Sequence, residues 1–361
     1  MRRRIASLLG LVATLSSSVP SDEAPAPPAG LEHVRGMTVS CHGSGQSWAS
    51  DEFAAELDEL LGIGCNWIAI HPYASIGADG EVRWREIDPE HPPEWLARPL
   101  REARDRGIGL LIKPHLAYWG SPFAWRGEID FEPGPTRERF WTTYSEWIRT
   151  LARTCSDADG FVVGTELGLM EVDEERWREL IDEVRALTDA PLTYAANWDR
   201  FESLGFWDAL DAVGVQAYFP LAGTNLPEPA AAELTAAWEP WIAKLRAVHE
   251  RTGKPVVLTE LGYPRSLVAA VEPWASGATR GPGEARACAL QERCLGVALA
   301  RLGPERDWLR GAFLWKCFPG QGGWAHDGDF AIERPELRAV VQAEWGRRTP
   351  PFPRAERRTP Q

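Results

Sequence analysis

The sequence predicts an α/β protein folded as a single (β/α)8 TIM barrel. Three observations carry this. Eight short, β-branched apolar runs alternate with longer amphipathic segments. The runs are nearly continuous in hydrophobicity, as parallel strands covered on both faces must be. No phosphate-cradling loop interrupts the series, since neither GxGxxG nor GxxxxGK followed by Ser or Thr occurs. The 361 residues would also accommodate two domains. An unbroken alternation of eight units over about 280 residues fits one barrel better than two doubly wound domains.

The candidate strands are residues 36–40 (GMTVS), 66–71 (NWIAIH), 109–114 (GLLIKP), 160–166 (GFVVGTE), 192–196 (LTYAA), 212–218 (AVGVQAY), 255–260 (PVVLTE) and 312–316 (AFLWK). The first helix, 51–61, has Ser50 as its N-cap and stops at Gly62; the second, 94–106, stops at Gly107. The third, 136–154, carries Phe140, Tyr144, Trp147, Ile148 and Leu151 as one helical stripe. Segments 174–187, 230–251, 284–302 and 335–345 repeat the pattern, whereas the fifth crossover is short, 201–210. No internal repeat is present.

The flanks differ in composition. MRRRIASLLGLVATL places three arginines before an apolar stretch too short to span a bilayer comfortably. This predicts an export signal over about residues 1–20, a Pro/Ala-rich linker over 21–32, the catalytic barrel over 33–346 and a disordered tail over 347–361. The expected destination is secreted or periplasmic. No Cys follows the apolar stretch to take a lipid, and no integral membrane segment is expected in the mature chain. The six cysteines (Cys41, Cys65, Cys155, Cys288, Cys294, Cys317) lack CxxC or zinc-like spacing and read as mostly buried thiols. A net charge of −13 argues against nucleic acid as a partner, because phosphate contacts need a basic face. Tryptophan is abundant, 18 against 6 Tyr and 3 Met, which leaves an enzyme or a binding domain.

Barrel enzymes carry their chemistry at the C-terminal ends of the strands. Strand four ends VGTEL and strand seven ends LTELGY. Glu166 and Glu260 thus follow apolar runs directly, where an unpaired carboxylate is costly. One such glutamate reads as a helix cap or ion-pair partner, but two at equivalent positions need a shared explanation. Glycoside hydrolysis supplies one: a protonated carboxyl serves the leaving oxygen, and an ionised one stands near the anomeric carbon. Mutual repulsion would raise the proton affinity of one of the two.

The glutamate pair resembles that of the clan of retaining (β/α)8 glycosidases. The strings GTELG, TELGY, QAYFPL, FLWKCFPG and GDFAIERPEL look most like glycoside hydrolase family 113, whose characterised members are β-1,4-mannanases. The resemblance runs from about Arg35 to Ala343. It implies Glu166 as acid/base and Glu260 as nucleophile, with no metal or organic cofactor. Two positions depart from the clan pattern. Thr165 stands where many members carry an Asn that holds the sugar 2-hydroxyl, and His71 stands where an Arg usually ends strand two. Recognition of the 2-hydroxyl must then come from elsewhere.

Other strand ends supply candidate substrate contacts. Trp315 is a candidate apolar floor for the reacting sugar, against simple core packing. Tyr218 is a candidate hydrogen-bond donor to Glu260. Lys113 and His115 end strand three, Asn197 and Trp198 end strand five, and His71 with Tyr73 ends strand two. Trp119, Trp125 and Trp324 sit in loops of the same face, either lining sugar subsites or anchoring their own loops. The expected partner is a poly- or oligosaccharide, most simply β-1,4-mannan. A barrel that binds glycan or organises a cell surface without turnover is the alternative. A metal-assisted hydrolase using His71 and His115 is a third reading, although no HxH or HExxH string supports it.

Overall fold

The computed structural model describes residues 33–41, 43, 45–225, 227–320 and 329–346. The expected export signal and linker, the tail and Trp324 lie outside the described residues. In chain order the first half comprises β1 (Val34–Val39), α1 (Asp51–Gly62), β2 (Trp67–Ile70), β3 (Tyr73–Ile76), β4 (Val82–Trp84), α2 (Glu94–Asp105), β5 (Gly109–Ile112), β6 (His115–Ala117), α3 (Pro135–Thr154), β7 (Gly160–Thr165) and α4 (Glu174–Arg185). The second comprises β8 (Leu192–Asn197), β9 (Val213–Gln216), α5 (Ala231–Thr252), β10 (Val256–Leu261), α6 (Glu284–Leu302), β11 (Leu309–Cys317) and α7 (Pro335–Trp345).

Eight of these strands close into a barrel in the order β1-β11-β10-β9-β8-β7-β5-β2, and the pairing is parallel throughout. The predicted (β/α)8 barrel is therefore the fold. Strand parity sorts the side chains. Trp67 and Ala69 of β2, Leu111 of β5, Val162 of β7, Val257 of β10 and Phe313 of β11 form the apolar plug inside the barrel. Trp67 and Phe313 meet edge to face, with ring centroids 6.0 Å apart. Two rings fit there because neighbouring strands carry no side chain at that level. A Cβ on Gly36 would stand 2.3 Å from the Phe313 ring, and one on Gly109 would stand 2.5 Å from that of Trp67. The opposite parity, with Met37, Ile68, Ile70 and Leu110, packs outward against the helices.

The helices begin and end largely where local chemistry dictates. Phe53 N–H donates to the Ser50 hydroxyl at 3.3 Å, confirming the cap of α1. The predicted stripe of α3 is buried along its length, and the Tyr144 hydroxyl on it donates to the Val163 carbonyl at 2.8 Å. Among the described residues the six cysteines are all free; Cys65, Cys155, Cys294 and Cys317 are buried, and Cys41 and Cys288 are partly so. No described helix is long and apolar enough to cross a membrane.

Two features depart from the expectation. The short fifth crossover, 201–210, contains a single 3-10 turn, Trp207–Ala209, and no α-helix, so one of the eight units lacks its helix. Its carbonyls are met from outside: α4 sends Arg178 to the Gly205 carbonyl and Arg185 to that of Ala209, each at 2.9 Å. The second departure is a small sheet beyond the barrel, ordered β4-β3-β6. It continues the chain past strands two and three, with β3 and β4 antiparallel around Gly80, whose φ is +78°.

Candidate active site

The parity that fills the barrel with apolar groups below also raises polar ones at its mouth. Two residues beyond Ala69, Leu111 and Phe313 stand His71, Lys113 and Trp315. The strand ends open into a cleft of about 1070 Å³. Glu166 and Glu260 both line it, together with His71, Tyr73, His115, Asn197, Tyr218 and Trp315. The two glutamates therefore share one cleft.

Glu260 belongs to β10, where the register against β9 shifts between Leu258 and Glu260. It is 4% exposed. Tyr218 donates to its Oε2 at 2.5 Å, and the Lys113 ammonium donates to its Oε1. Both oxygens accept, the pattern of a charged carboxylate. Burial pushes the Tyr218 hydroxyl well above its ordinary range, with the Glu260 charge adding to this, so it stays a donor. Lys113 is pulled below its ordinary value by burial, against the opposing Glu260 charge.

Lys113, expected as a substrate contact, is paired with Glu260. It is 0% exposed, and it also donates to the Thr259 carbonyl at 3.2 Å. It lies beneath Glu260, outside the cleft lining, and holds a carboxylate where a substrate contact was expected.

Glu166 stands one residue past β7, not within it as the apolar run suggested. Its φ of +53° falls in the left-handed region, which is costly for a side chain with a Cβ. Flanking hydrogen bonds fix that conformation: Glu166 N–H donates to the Ala195 carbonyl at 2.9 Å, and Leu167 N–H to the Tyr194 hydroxyl at 2.8 Å. Tyr194 in turn donates to Glu171 Oε1 at 3.0 Å, and Arg200 holds Glu171 Oε2 at 3.2 Å. Burial pushes the Glu166 carboxyl up to about 7; Arg126 pulls the other way, and Glu260 adds to the rise. The expected repulsion between the glutamates is present, but desolvation is the larger cause.

Around this pair, the His71 Nε2 and the Ser40 hydroxyl share a hydrogen bond of 2.8 Å. His115 stacks on Trp315 with centroids 5.9 Å apart, and its Nε2 lies 3.7 Å from Glu260 Oε1. Burial first, then nearby cations, drives both histidines well below their ordinary range, so both are neutral. Among the described residues no group of three or more His, Cys, Asp or Glu converges in a way that would hold a metal ion. Asn197 donates to Asp199 Oδ1 at 2.9 Å. The peptide bond after Trp315 is cis. Trp119, 65% exposed, and Trp125 line the cleft. Trp198 stacks on Trp274 with centroids 5.2 Å apart, and both also line it.

Sequence reasoning missed Arg126, Asp199 and Trp274. All three are loop residues outside any periodic run, and no local signal marks them. Arg126 is the consequential one, since its Nε lies 3.8 Å from Glu166 Oε2.

Comparisons with known proteins bear on the family and the fold. Residues 37–321 match the family Glycoside Hydrolase Family 113. The fold is similar to that of the GH113 β-mannanase AaManA from Alicyclobacillus acidocaldarius, solved in complex with ManMIm, at 26% identity and a TM-score of 0.70 over 87% of this chain and 98% of that one. It is also similar to a GH113 β-1,4-mannanase at 20% identity and a TM-score of 0.72, over 88% of this chain and all of the other. A β-glucuronidase from Faecalibacterium prausnitzii shares the fold at 12% identity and a TM-score of 0.58, over 90% of this chain and 51% of that one. No curated protein matches the chain in sequence. With its barrel, its paired glutamates in one cleft and a family match over most of its length, the chain belongs to glycoside hydrolase family 113 and is a glycosidase.

Proposed function

We propose that the protein is an exported β-mannanase-like hydrolase that cleaves β-1,4-linked mannan or its oligosaccharides with retention of configuration. The observation that carries this reading is the unlike pair of carboxyls in one cleft: Glu260 accepts from Lys113 and Tyr218, while Glu166 keeps its proton up to about 7. Environments that push two carboxyls apart assign the acid and the nucleophile.

In the first step Glu166 gives its proton to the glycosidic oxygen as a Glu260 oxygen bonds to the anomeric carbon. The leaving sugar departs as an alcohol, and a glycosyl-enzyme remains. In the second step the Glu166 carboxylate takes a proton from water, and the hydroxide oxygen displaces Glu260 from the same carbon. Trp315, beneath the cleft, offers its ring to the CH-rich face of the reacting sugar. The mannan preference follows the similarity to the two GH113 mannanases. A net charge of −13 suits a neutral glycan.

The test is hydrolysis by the purified protein of manno-, gluco-, xylo- and galacto-oligosaccharides in parallel. Cleavage of the β-1,4-manno series is expected. Binding without turnover on every series would support the non-catalytic glycan-binding reading instead.

A further inference from the structure

The site described above leaves one charged group without a full account. Arg126 opens a 3-10 turn, Arg126–Glu128, in the connection between β6 and α3. That turn is fixed rather than loose. Trp125 folds over Gly127, where a Cβ would meet its ring at 2.1 Å. The Gly127 carbonyl accepts from Leu169 N–H at 3.3 Å, tying the turn to the segment that carries Glu166. The Arg126 side chain is 12% exposed and lines the cleft. Its Nε stands 3.8 Å from Glu166 Oε2, but its Nη1 is buried with no hydrogen-bond partner among the described residues. An unpaired buried guanidinium nitrogen is expensive, and such a group in a cleft calls for a ligand acceptor.

Several neighbouring donors already have acceptors. The Thr165 hydroxyl donates to the Pro114 carbonyl at 3.0 Å, the Asn197 amide to Asp199, and the Tyr218 hydroxyl to Glu260. His115 keeps unpartnered ring nitrogens, but it stands on the Glu260 side of the cleft. A donor beside the acid reaches groups that flank the bond the acid protonates. The hydroxyl on the carbon next to the anomeric centre is such a group, and it stays on the enzyme through both steps. Hydrogen bonds to it strengthen in the transition state.

We propose that Arg126 binds the 2-hydroxyl of the reacting sugar through Nη1, the recognition that Thr165 does not supply. The guanidinium does not burden the developing positive charge at the anomeric carbon, because Glu166 beside it turns anionic as it gives up its proton. The inference rests on the assignment of Glu166 and Glu260 as the working pair.

The experiment compares wild type, Arg126→Met and Arg126→Lys on an aryl β-mannoside, the matching β-glucoside and their shared 2-deoxy analogue. A lost hydrogen bond to a charged donor predicts that Arg126→Met lowers kcat/KM about 10- to 100-fold more on the parent cleaved by wild type than on the 2-deoxy glycoside, which registers only the lost pull of the guanidinium on Glu166. Arg126→Lys, which keeps the charge, carries the same comparison should the Met variant fail to fold. Equal losses on parent and 2-deoxy substrates overturn the proposal while leaving the glutamate pair intact. Absence of hydrolysis of every glycoside by wild type overturns both.

Discussion

Replacing Glu166 by Gln tests the electrostatics of the acid independently of turnover. A carboxyl that ionises at about 7 in the fold rather than at 4.5 represents a difference of about 3 kcal/mol between its two protonation states. The sign follows from proton binding. Between those pH values the folded protein holds a proton that the unfolded chain has released, so folding stability falls as pH rises. It is fully retained below 4.5 and fully lost above 7. Gln does not titrate, so stability measured by urea unfolding should shift toward the Glu166→Gln variant by up to about 3 kcal/mol between pH about 4 and about 8. That figure is an upper bound, because 15% of the side chain still faces cleft water. The comparison between variants cancels groups that titrate alike in both. A stability difference that stays constant over this range would refute the claim that burial holds Glu166 protonated.

Other expectations follow from the same contacts. Lys113→Met leaves the Glu260 charge buried with Tyr218 as its remaining direct donor, so unfolding should show a loss of about 3–5 kcal/mol, with hydrolysis falling alongside; a loss below about 1 kcal/mol would show that the pair does not hold the site. Tyr194→Phe strips the acceptor from Leu167 N–H, costing about 1–3 kcal/mol of stability. It should slow substrates that need protonation of the leaving group far more than dinitrophenyl glycosides that do not, whereas equal slowing would assign Tyr194 a purely structural part. Trp274→Ala removes the exposed half of the Trp198–Trp274 stack and should raise KM about 10-fold for long oligosaccharides. It should leave the shortest cleaved substrate unchanged, and an equal effect on both would remove the pair from the substrate path.

Much of the architecture was legible because barrel strands announce themselves twice: as apolar runs buried on both faces, and by the period that carries Trp67, Ala69 and then His71 to one interior wall. The same logic located Glu166 and Glu260, since carboxylates after apolar runs demand an explanation. The β3–β4 hairpin had a signal that went unread: the alternating YASI and EVRW around Ala78-Asp79-Gly80. The shortness of the fifth crossover was legible, but not that arginines on α4 satisfy its carbonyls from another element. Strand parity sends Lys113 inward, and its pairing with Glu260 depends on a depth that sequence does not encode. Arg126 lies in a long connection whose course is set by Trp125 over Gly127 and by the Gly127–Leu169 contact, neither visible before folding.

The account stands on a double displacement at one acetal carbon, with Glu260 as the group that is glycosylated. The direct measurement is NMR of the first anomer released from a β-linked manno-oligosaccharide, before mutarotation. The β-anomer is predicted. Initial release of the α-anomer would mean a single displacement by water and would contradict the assignment of Glu260.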